Sequence, residues 1–398
     1  MDCLHHIKKA DMPFESVVLL IVGMTMILTG GLLFPVAAGV FPYYENGPYG
    51  LLLVMVSLQM IALGKTPFGD MRRSKALLAA GAAVAAVGIL TCCIPVFPRP
   101  VFRALLFLIM GPGGLVLLVR MCCAWGTLRT WVRQGGVLRH LVAACTAVYG
   151  LSMATAVLIW RQKLLTTPLT AGVILVYGVS VAYLAAVLWL VYREYPGAEK
   201  AAKDDGALST DKATLLLTGI FMLLLGVVLI PVNLGMVPFS GSAQLGLLMV
   251  IFAVQMLASG STPLGPFPRS WLMIFLGLVF AALGIVSCIV PDILAAPLTI
   301  MVGVLNILGG IIGLARTLMP RLTGATGPPG DVPPILRRLF ATQVVMNLLA
   351  VAFGTSMLVA NLVPGMIVGV VLAANGGILL YLIRILTVID KMRGEQPG

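Results

Sequence analysis

Long apolar segments constrain this chain more than any other feature. A helix that crosses the hydrocarbon core of a bilayer needs about 20 mostly apolar residues. Twelve segments come close to this length, at 16–40, 48–65, 75–96, 101–122, 138–160, 168–192, 213–236, 243–260, 270–291, 295–316, 336–360 and 364–388. The sequence therefore predicts an all-α, polytopic membrane protein with twelve transmembrane helices.

Composition supports a membrane protein and argues against a soluble protein that binds nucleic acid. The chain is 60% hydrophobic and 10% charged, whereas a soluble domain carries about 25% charged residues. The net charge of +12 would suggest a nucleic-acid partner in a soluble protein. In a membrane protein, an excess of Lys and Arg in the cytoplasmic loops accounts for this charge. We therefore expect the lipid bilayer as the partner and no nucleic acid.

The basic residues predict the orientation, because cytoplasmic loops hold the excess of Lys and Arg. With the N-terminus inside, 22 of the 26 basic residues fall in inner segments. The outer loops hold only Arg99, Arg103, Arg161 and Lys163. An error of one helix would destroy this pattern. The sequence thus predicts a multi-pass inner (plasma) membrane protein with both termini in the cytoplasm.

The chain also carries an internal repeat. The stretch from Gln59 to Ser74 returns 196 residues later, from Gln255 to Ser270, and 19 of the 45 positions in 51–95 are identical to their counterparts at this shift. With a shift of 198 the match continues through the pairs Arg139/Arg337, Gly178/Gly376 and Tyr183/Tyr381. We therefore predict a first six-helix repeat over 1–193, a charged cytoplasmic linker over 194–212 and a second repeat over 213–398.

Each repeat has an even number of helices, which predicts a parallel 6+6 repeat about an axis along the membrane normal. The first and third helices of each half run to a glycine and then a proline at the predicted outer end, as in Gly30 to Pro35 and Gly88 to Pro95. A proline there would end the helix and let the chain return. Each half is therefore interpreted as three helical hairpins.

Catalytic groups are missing from the predicted spans. All fourteen acidic residues and the three histidines fall in loops, tails or helix ends, and the seven cysteines show no metal-binding spacing. We expect no enzymatic activity, no catalytic residue, no cofactor and no metal.

Intramembrane amides are the remaining candidates. Gln59 and Gln255 lie at equivalent places near the inner ends of the second and eighth helices, and the second half adds Asn306 and Asn347, together with Gln343 and Asn375. An amide in hydrocarbon is costly unless it is paired. These residues are therefore either interhelical contacts or contacts to a small-molecule solute.

A Gly-x-Thr-Pro-x-Gly turn follows each of these glutamines. It contains Thr66 and Pro67 in the first half and Thr262 and Pro263 in the second. The glycines permit a helix end and a tight turn, and the proline stops the helix. The turn is either structural or a gate.

The inner segment 124–137 contains Trp125 and Trp131 with Arg129 and Arg133. This pattern is typical of an interfacial amphipathic helix or of an aromatic anchor at the headgroups. It is the surface that a membrane scaffold subunit would use.

Two resemblances follow from these features. The parallel 6+6 arrangement and the basic turns, Gly64 to Arg73 and Gly260 to Arg269, resemble the major facilitator superfamily, although Asp70 is displaced from the acidic position of the family motif and the second copy has no acid. The Gly…Pro helix ends and glycine-bearing helices such as Gly111-Pro-Gly-Gly114 more closely resemble the six-helix HdeD-type proteins of bacterial acid resistance, here in tandem.

The HdeD resemblance implies a non-enzymatic membrane protein with a stress or membrane-maintenance role. The superfamily resemblance implies a carrier for an uncharged or amphipathic solute, with Gln59 and Gln255 along a central path. A scaffold subunit is the third hypothesis.

Overall fold

The structure is a computed structural model that describes residues 12–62, 65–66, 69–70, 75–161, 164–195, 210–262, 265–266, 270–322, 334–359 and 364–394. The described residues are almost entirely helical. The first half contains α1 (Phe14–Ala37), α2 (Asn46–Ala62), β1 (Lys65–Thr66), β2 (Gly69–Asp70), α3 (Lys75–Cys93), α4 (Arg99–Cys123), α5 (Trp125–Gln134), α6 (Gly136–Trp160) and α7 (Thr167–Glu194). The second half contains α8 (Thr210–Asn233), α9 (Gly241–Ser259), β3 (Ser261–Thr262), β4 (Gly265–Pro266), α10 (Trp271–Ile289), α11 (Ala295–Leu322), α12 (Pro334–Leu358) and α13 (Gly365–Gly394).

A helix occupies every segment that the apolar pattern predicts. Eleven of the described helices are long and apolar enough to cross a membrane. The remaining apolar helix is α2, which has 17 residues. The protein is therefore a polytopic helical membrane protein. Of the predicted linker over 194–212, residues 196–209 lie outside the described part of the chain.

The first helix of each half continues past its proline. Pro35 lies inside α1, which ends at Ala37, and Pro231 lies inside α8. The expectation that a proline ends the helix is therefore wrong for Pro35 and Pro231, whereas α3 ends at Cys93 and α10 at Ile289, each two residues before its proline. Proline lacks the N–H that would bond to the preceding turn, and its ring crowds the carbonyl four residues back. The residues after it still bond to carbonyls further back, as Ala38 N–H does to Phe34 O.

Helix pairing differs from hairpins formed at the proline ends. The closest packed pairs are α2 with α3, α4 with α6 and α1 with α7 in the first half, and α9 with α10, α11 with α12 and α8 with α13 in the second. Two pairs of each half are successive long apolar antiparallel helices joined at the predicted inner end, and the short helix α5 connects α4 to α6. The third pair joins the first and last helices, which neighbour each other in space but not in sequence.

Glycines bring these pairs close together. A Cβ atom built on Gly88 of α3 would lie 2.9 Å from the carbonyl oxygen of Gly50 in α2, and one on Gly284 of α10 would lie 2.5 Å from that of Gly246 in α9. Only glycine lets two backbones approach this closely, which is how helices associate where lipid removes the hydrophobic driving force.

The core lies where α1, α2 and α3 pack against α8, α9 and α10. The most completely buried helices in this core are α2 and α9. Residues buried completely include Leu51, Leu53 and Met55 in α2 and Leu247 and Met249 in α9. In α9, 83% of the most apolar window is buried inside the protein, more than in any other described span. The centre of the bundle is therefore apolar and protein-filled.

Candidate functional site

The two halves are joined at the predicted outer end by a matched pair of backbone hydrogen bonds. The N–H of Tyr44 donates to the carbonyl of Ile289 at 2.9 Å, and the N–H of Ser240 donates to that of Cys93 at 2.9 Å. Tyr44 and Ser240 are separated by 196 residues, and so are Cys93 and Ile289. Each half thus contacts the other through the same pair of positions.

Two cysteines at equivalent positions meet beside these bonds. The Sγ atoms of Cys92 and Cys288 lie 4.0 Å apart, and both side chains are buried. The Tyr44 hydroxyl donates to the carbonyl of Cys92 at 3.0 Å. Burial and, to a smaller extent, the nearby thiols raise the pKa of Tyr44 above its ordinary value. The phenol therefore keeps its proton and donates it in this hydrogen bond. Sequence alone does not show that these cysteines meet, because their contact depends on the two halves packing together.

The two glutamines have different surroundings. The Nε2 of Gln255 donates to Oγ1 of Thr218 in α8 at 2.8 Å, and that hydroxyl donates in turn to the carbonyl of Thr214. The position equivalent to Thr218 in the first half is Val22, which cannot accept a hydrogen bond. Gln255 is therefore an interhelical contact, whereas the half-buried Gln59 lacks this partner.

Each Gly-x-Thr-Pro-x-Gly turn forms a short β-hairpin. Lys65–Thr66 pairs antiparallel with Gly69–Asp70, and Ser261–Thr262 pairs with Gly265–Pro266. Gly260 caps α9 in the left-handed conformation at φ 69°, as expected for a glycine that ends a helix. The candidate residues Thr66 and Thr262 thus lie in strands, and Pro67 and Pro263 lie outside the described residues.

The amides of the second half lie at one depth. Asn306 and Asn347 are each eleven residues from the predicted outer ends of α11 and α12, and Asn375 is ten residues from that of α13. At 1.5 Å per residue, all three are about 15–17 Å from these ends. Gln343 lies one turn nearer the inner end of α12. We call Asn306, Gln343, Asn347 and Asn375 the amide layer.

The amide layer is incompletely paired. The Nδ2 of Asn306 donates to the carbonyl of Val302 in its own helix at 2.8 Å. The side chain of Asn347 lies against Gly313 of α11, where a Cβ atom would be 2.4 Å from its Oδ1. The Oδ1 of Asn375 is buried without a hydrogen-bond partner. Within the described residues, no hydrogen bond joins the four amides to one another.

An ion pair at the predicted outer end occurs in the first half. Glu45 Oε1 lies 2.5 Å from Nη2 of Arg103, and its Oε2 lies 3.6 Å from Nη2 of Arg99. The equivalent second-half positions are Gly241, Ala295 and Thr299, which carry no charge. The sequence predicts both arginines in an outer loop, whereas they lie in the first turns of α4. The restriction of outer basic residues to the first half is the signal in the sequence that points to this ion pair.

The segment 124–137 contains a ten-residue helix, α5, that packs against α6. Trp131 packs against the core, whereas Arg129, Val132 and Arg133 are exposed. This confirms a helix in the segment.

An apolar groove of about 480 Å³ lies between α3 and α4. Its lining includes Ala83, Val87, Val101 and Leu108 and none of the candidate polar residues. It offers no polar group to a solute.

These features define a multi-pass helical membrane protein. Comparison of the chain with protein-family models, curated proteins and solved structures finds no match.

Proposed function

We propose that this chain is a non-enzymatic inner-membrane protein built from two parallel six-helix repeats, with twelve spans, cytoplasmic termini and an HdeD-like role in membrane maintenance under stress. The repeat is supported by the helix bounds. Shifting α1 (Phe14–Ala37) and α3 (Lys75–Cys93) by 196 residues reproduces the bounds of α8 and α10, and shifting α6 (Gly136–Trp160) by 198 reproduces those of α12.

The observation that carries a non-transporting role is the filled centre of the bundle. Leu53 of α2 and Met249 of α9 are completely buried, which supports a bundle with no solute path past these apolar side chains. The hydrogen bond from Gln255 to Thr218 uses the amide that a central path would need. The absence of acidic residues from the middle of the predicted spans supports a role without proton-coupled chemistry.

A deletion strain tests the maintenance role. We expect loss of the gene to lower survival after acid exposure and to raise the uptake of a membrane-impermeant dye. The wild-type gene and a neutral variant, Gly377→Ala, should restore both. If the deletion strain matches its parent in survival and in dye uptake, the proposal is wrong.

A carrier for an uncharged or amphipathic solute is the second candidate. It is favoured by the matched bonds of Tyr44 and Ser240, which close the two halves at one end, as alternating access by rocking halves requires. Proteoliposomes containing the purified protein would be tested for uptake against a panel of uncharged solutes. Uptake above that of protein-free vesicles would favour this candidate, and its absence across the panel would favour the first.

A scaffold subunit is the third candidate, favoured by the exposed side chains of Arg129 and Arg133 on α5. Deleting 124–137 would then remove any protein that co-purifies with the intact chain. If the same proteins co-purify with both forms, α5 is not a docking element.

A further inference from the structure

The connection between α4 and α6 concentrates positive charge without nearby negative charge in the sequence. Four arginines fall between residues 120 and 139, and no aspartate or glutamate occurs anywhere in 71–193. Among the described residues, the ion pairs to carboxylates are those of Glu45, at the opposite end of α4. The described protein therefore does not neutralise the arginines of this connection.

The lengths of the flanking helices place this connection at the level of the lipid headgroups. Helices α4 and α6 each contain 25 residues, which at 1.5 Å per residue makes each about 37 Å long. The hydrocarbon core of a bilayer is about 30 Å thick, so the ends of both helices reach the headgroup region. Only one residue separates α5 from α4 and one from α6. Helix α5 is therefore held beside the lipid phosphates of the predicted cytoplasmic leaflet.

The two faces of α5 have opposite character. Arg129 and Arg133 lie one turn apart on one face, and both are exposed. The other residues of this face, Gly126 and Thr130, are exposed as well. Trp131 lies on the opposite face and packs against the core of the bundle. Helix α5 is thus fixed to the protein through Trp131 and presents two guanidinium groups to its surroundings.

The basic face of α5 has room for a bound group. A Cβ atom built on Gly126, or on Gly135 or Gly136 at the junction with α6, would meet nothing within 4 Å. The hydroxyl of Thr130 already donates to the carbonyl of Gly126 at 2.8 Å. The guanidinium groups are therefore the side-chain donors that this face offers to a partner.

The second half shows that joining two spans at this place does not require such a helix. The corresponding connection, 320–334, contains one arginine and one aspartate, so its formal net charge is zero. The basic amphipathic helix is therefore a property of the first half. A requirement shared by both connections does not account for it, and a partner specific to the first half does.

We propose that the basic face of α5 binds the phosphate groups of anionic phospholipids. A guanidinium group binds phosphate through two parallel N–H donors, and an anionic headgroup also supplies the negative charge that this connection lacks. Arg129 and Arg133 donate to the phosphate oxygens, and the exposed Arg139 in the first turn of α6 adds a third positive charge. This surface is separate from the apolar core that carries the proposed function, so either proposal can fail without the other.

Native mass spectrometry of the purified full-length protein tests the site. The protein in detergent micelles would be given phosphatidylglycerol and phosphatidylcholine in equal amounts, and the two bound lipids would be quantified. We expect phosphatidylglycerol to be preferred, and less strongly at high salt. The double variant Arg129→Gln/Arg133→Gln should lower the affinity for phosphatidylglycerol by about 30-fold, the effect of two cations near an anionic lipid surface.

A second variant leaves both arginines in place. Gly126→Asp puts a carboxylate about one turn from Arg129, in the first turn of α5, where an acidic residue favours the helix. It supplies negative charge from the protein and should also weaken the preference for phosphatidylglycerol. Size-exclusion profiles and melting curves establish that each variant is folded.

The matched control is Arg316→Gln/Arg338→Gln, which removes two exposed arginines from the predicted inner ends of α11 and α12 and should leave the preference unchanged. Three results would each overturn the inference. They are equal binding of the two lipids by the wild type, an unchanged preference in both α5 variants, and an equal fall in the control. A protein that co-purifies through α5 while the lipid preference stays unchanged in the α5 variants would assign these arginines to the scaffold candidate instead.

Discussion

Two adjacent glycines in α13 provide a sharp test of the packing. A Cβ atom on Gly376 would lie 2.3 Å from the backbone nitrogen of Leu223 in α8 and 2.7 Å from the carbonyl oxygen of Gly219. A Cβ atom on the next residue, Gly377, would meet nothing within 4 Å. Gly376→Ala and Gly377→Ala therefore make the same chemical change in the same helix, one against a backbone and one in open space.

The expected magnitude follows from these distances. To bring the new contact into an ordinary range, α8 and α13 must separate by about 1 Å, a form of overpacking that costs about 1–3 kcal/mol. Replacing glycine by alanine in a helix also gains up to about 1 kcal/mol of helix propensity. Both variants share this gain, so the difference between them isolates the clash and should equal about 1–3 kcal/mol.

The assay is reversible unfolding of the purified protein in mixed micelles with increasing SDS, followed by circular dichroism. Gly376→Ala should unfold at a lower SDS fraction than Gly377→Ala, which should match or exceed the wild type. The first-half counterpart Gly178→Ala should behave like Gly376→Ala, because its Cβ atom would lie 2.6 Å from the nitrogen of Ile27. Equal unfolding curves for the two adjacent variants would refute the packing of α8 against α13.

Further changes test the contacts between and within the halves. A protease site is inserted in the charged linker, and the cut protein is treated with copper phenanthroline, which removes two electrons and two protons from the thiols. Cys92 and Cys288 should then form a disulfide that holds the two halves together on a non-reducing gel. The halves of a Cys92→Ser variant should separate, and separation of the wild-type halves would count against the contact. Thr218→Val removes the hydroxyl that accepts from Gln255 and should lower the free energy of unfolding by about 0.5–1.5 kcal/mol; an unchanged unfolding curve would show that the bond is unimportant. Glu45→Gln leaves the arginines of α4 without a carboxylate and should cost about 1–2 kcal/mol, with little sensitivity to salt because the pair is partly buried; no loss of stability would place the pair in solvent.

Much of the fold could be predicted because the bilayer imposes one simple rule. Every backbone group in hydrocarbon must be bonded internally, so apolar runs of sufficient length become helices. The positions of the helices follow from this rule within a few residues. Their ends are less certain, because a helix can absorb a proline in its last turn, as α1 does at Pro35.

Helix pairing could not be predicted from the order of the helices. The glycines that fix it, such as Gly178 in α7, contact a helix far away in sequence, and a single sequence does not show which partner a small residue meets. Proline ends suggested hairpins between consecutive helices. Close backbone contact between α1 and α7 instead brings the two ends of the half together, and this depends on complementary surfaces rather than on turns.

The two equivalent glutamines have different neighbours, and the sequence could not reveal this difference. Identity between Gln59 and Gln255 suggested a shared role, yet the residue facing Gln255 is a threonine and its counterpart is Val22. A matched amide therefore indicates common ancestry of the positions and says little about a shared ligand. Only the side chains that lie next to an amide in the folded protein show whether it is already hydrogen-bonded.

Divergence between the halves is a better guide to a binding site than their similarity. A position that only maintains packing keeps its size and polarity when a fold is duplicated, as Gly88 and Gly284 do at the contact of each third helix with its neighbour. The first half instead has Tyr149 and Tyr177 where the second half has asparagine at both equivalent positions, in a setting where an unpaired amide is costly. Such a change lowers stability unless the new groups have a partner, and the unpaired Oδ1 of Asn375 shows that this partner is not supplied by the described protein.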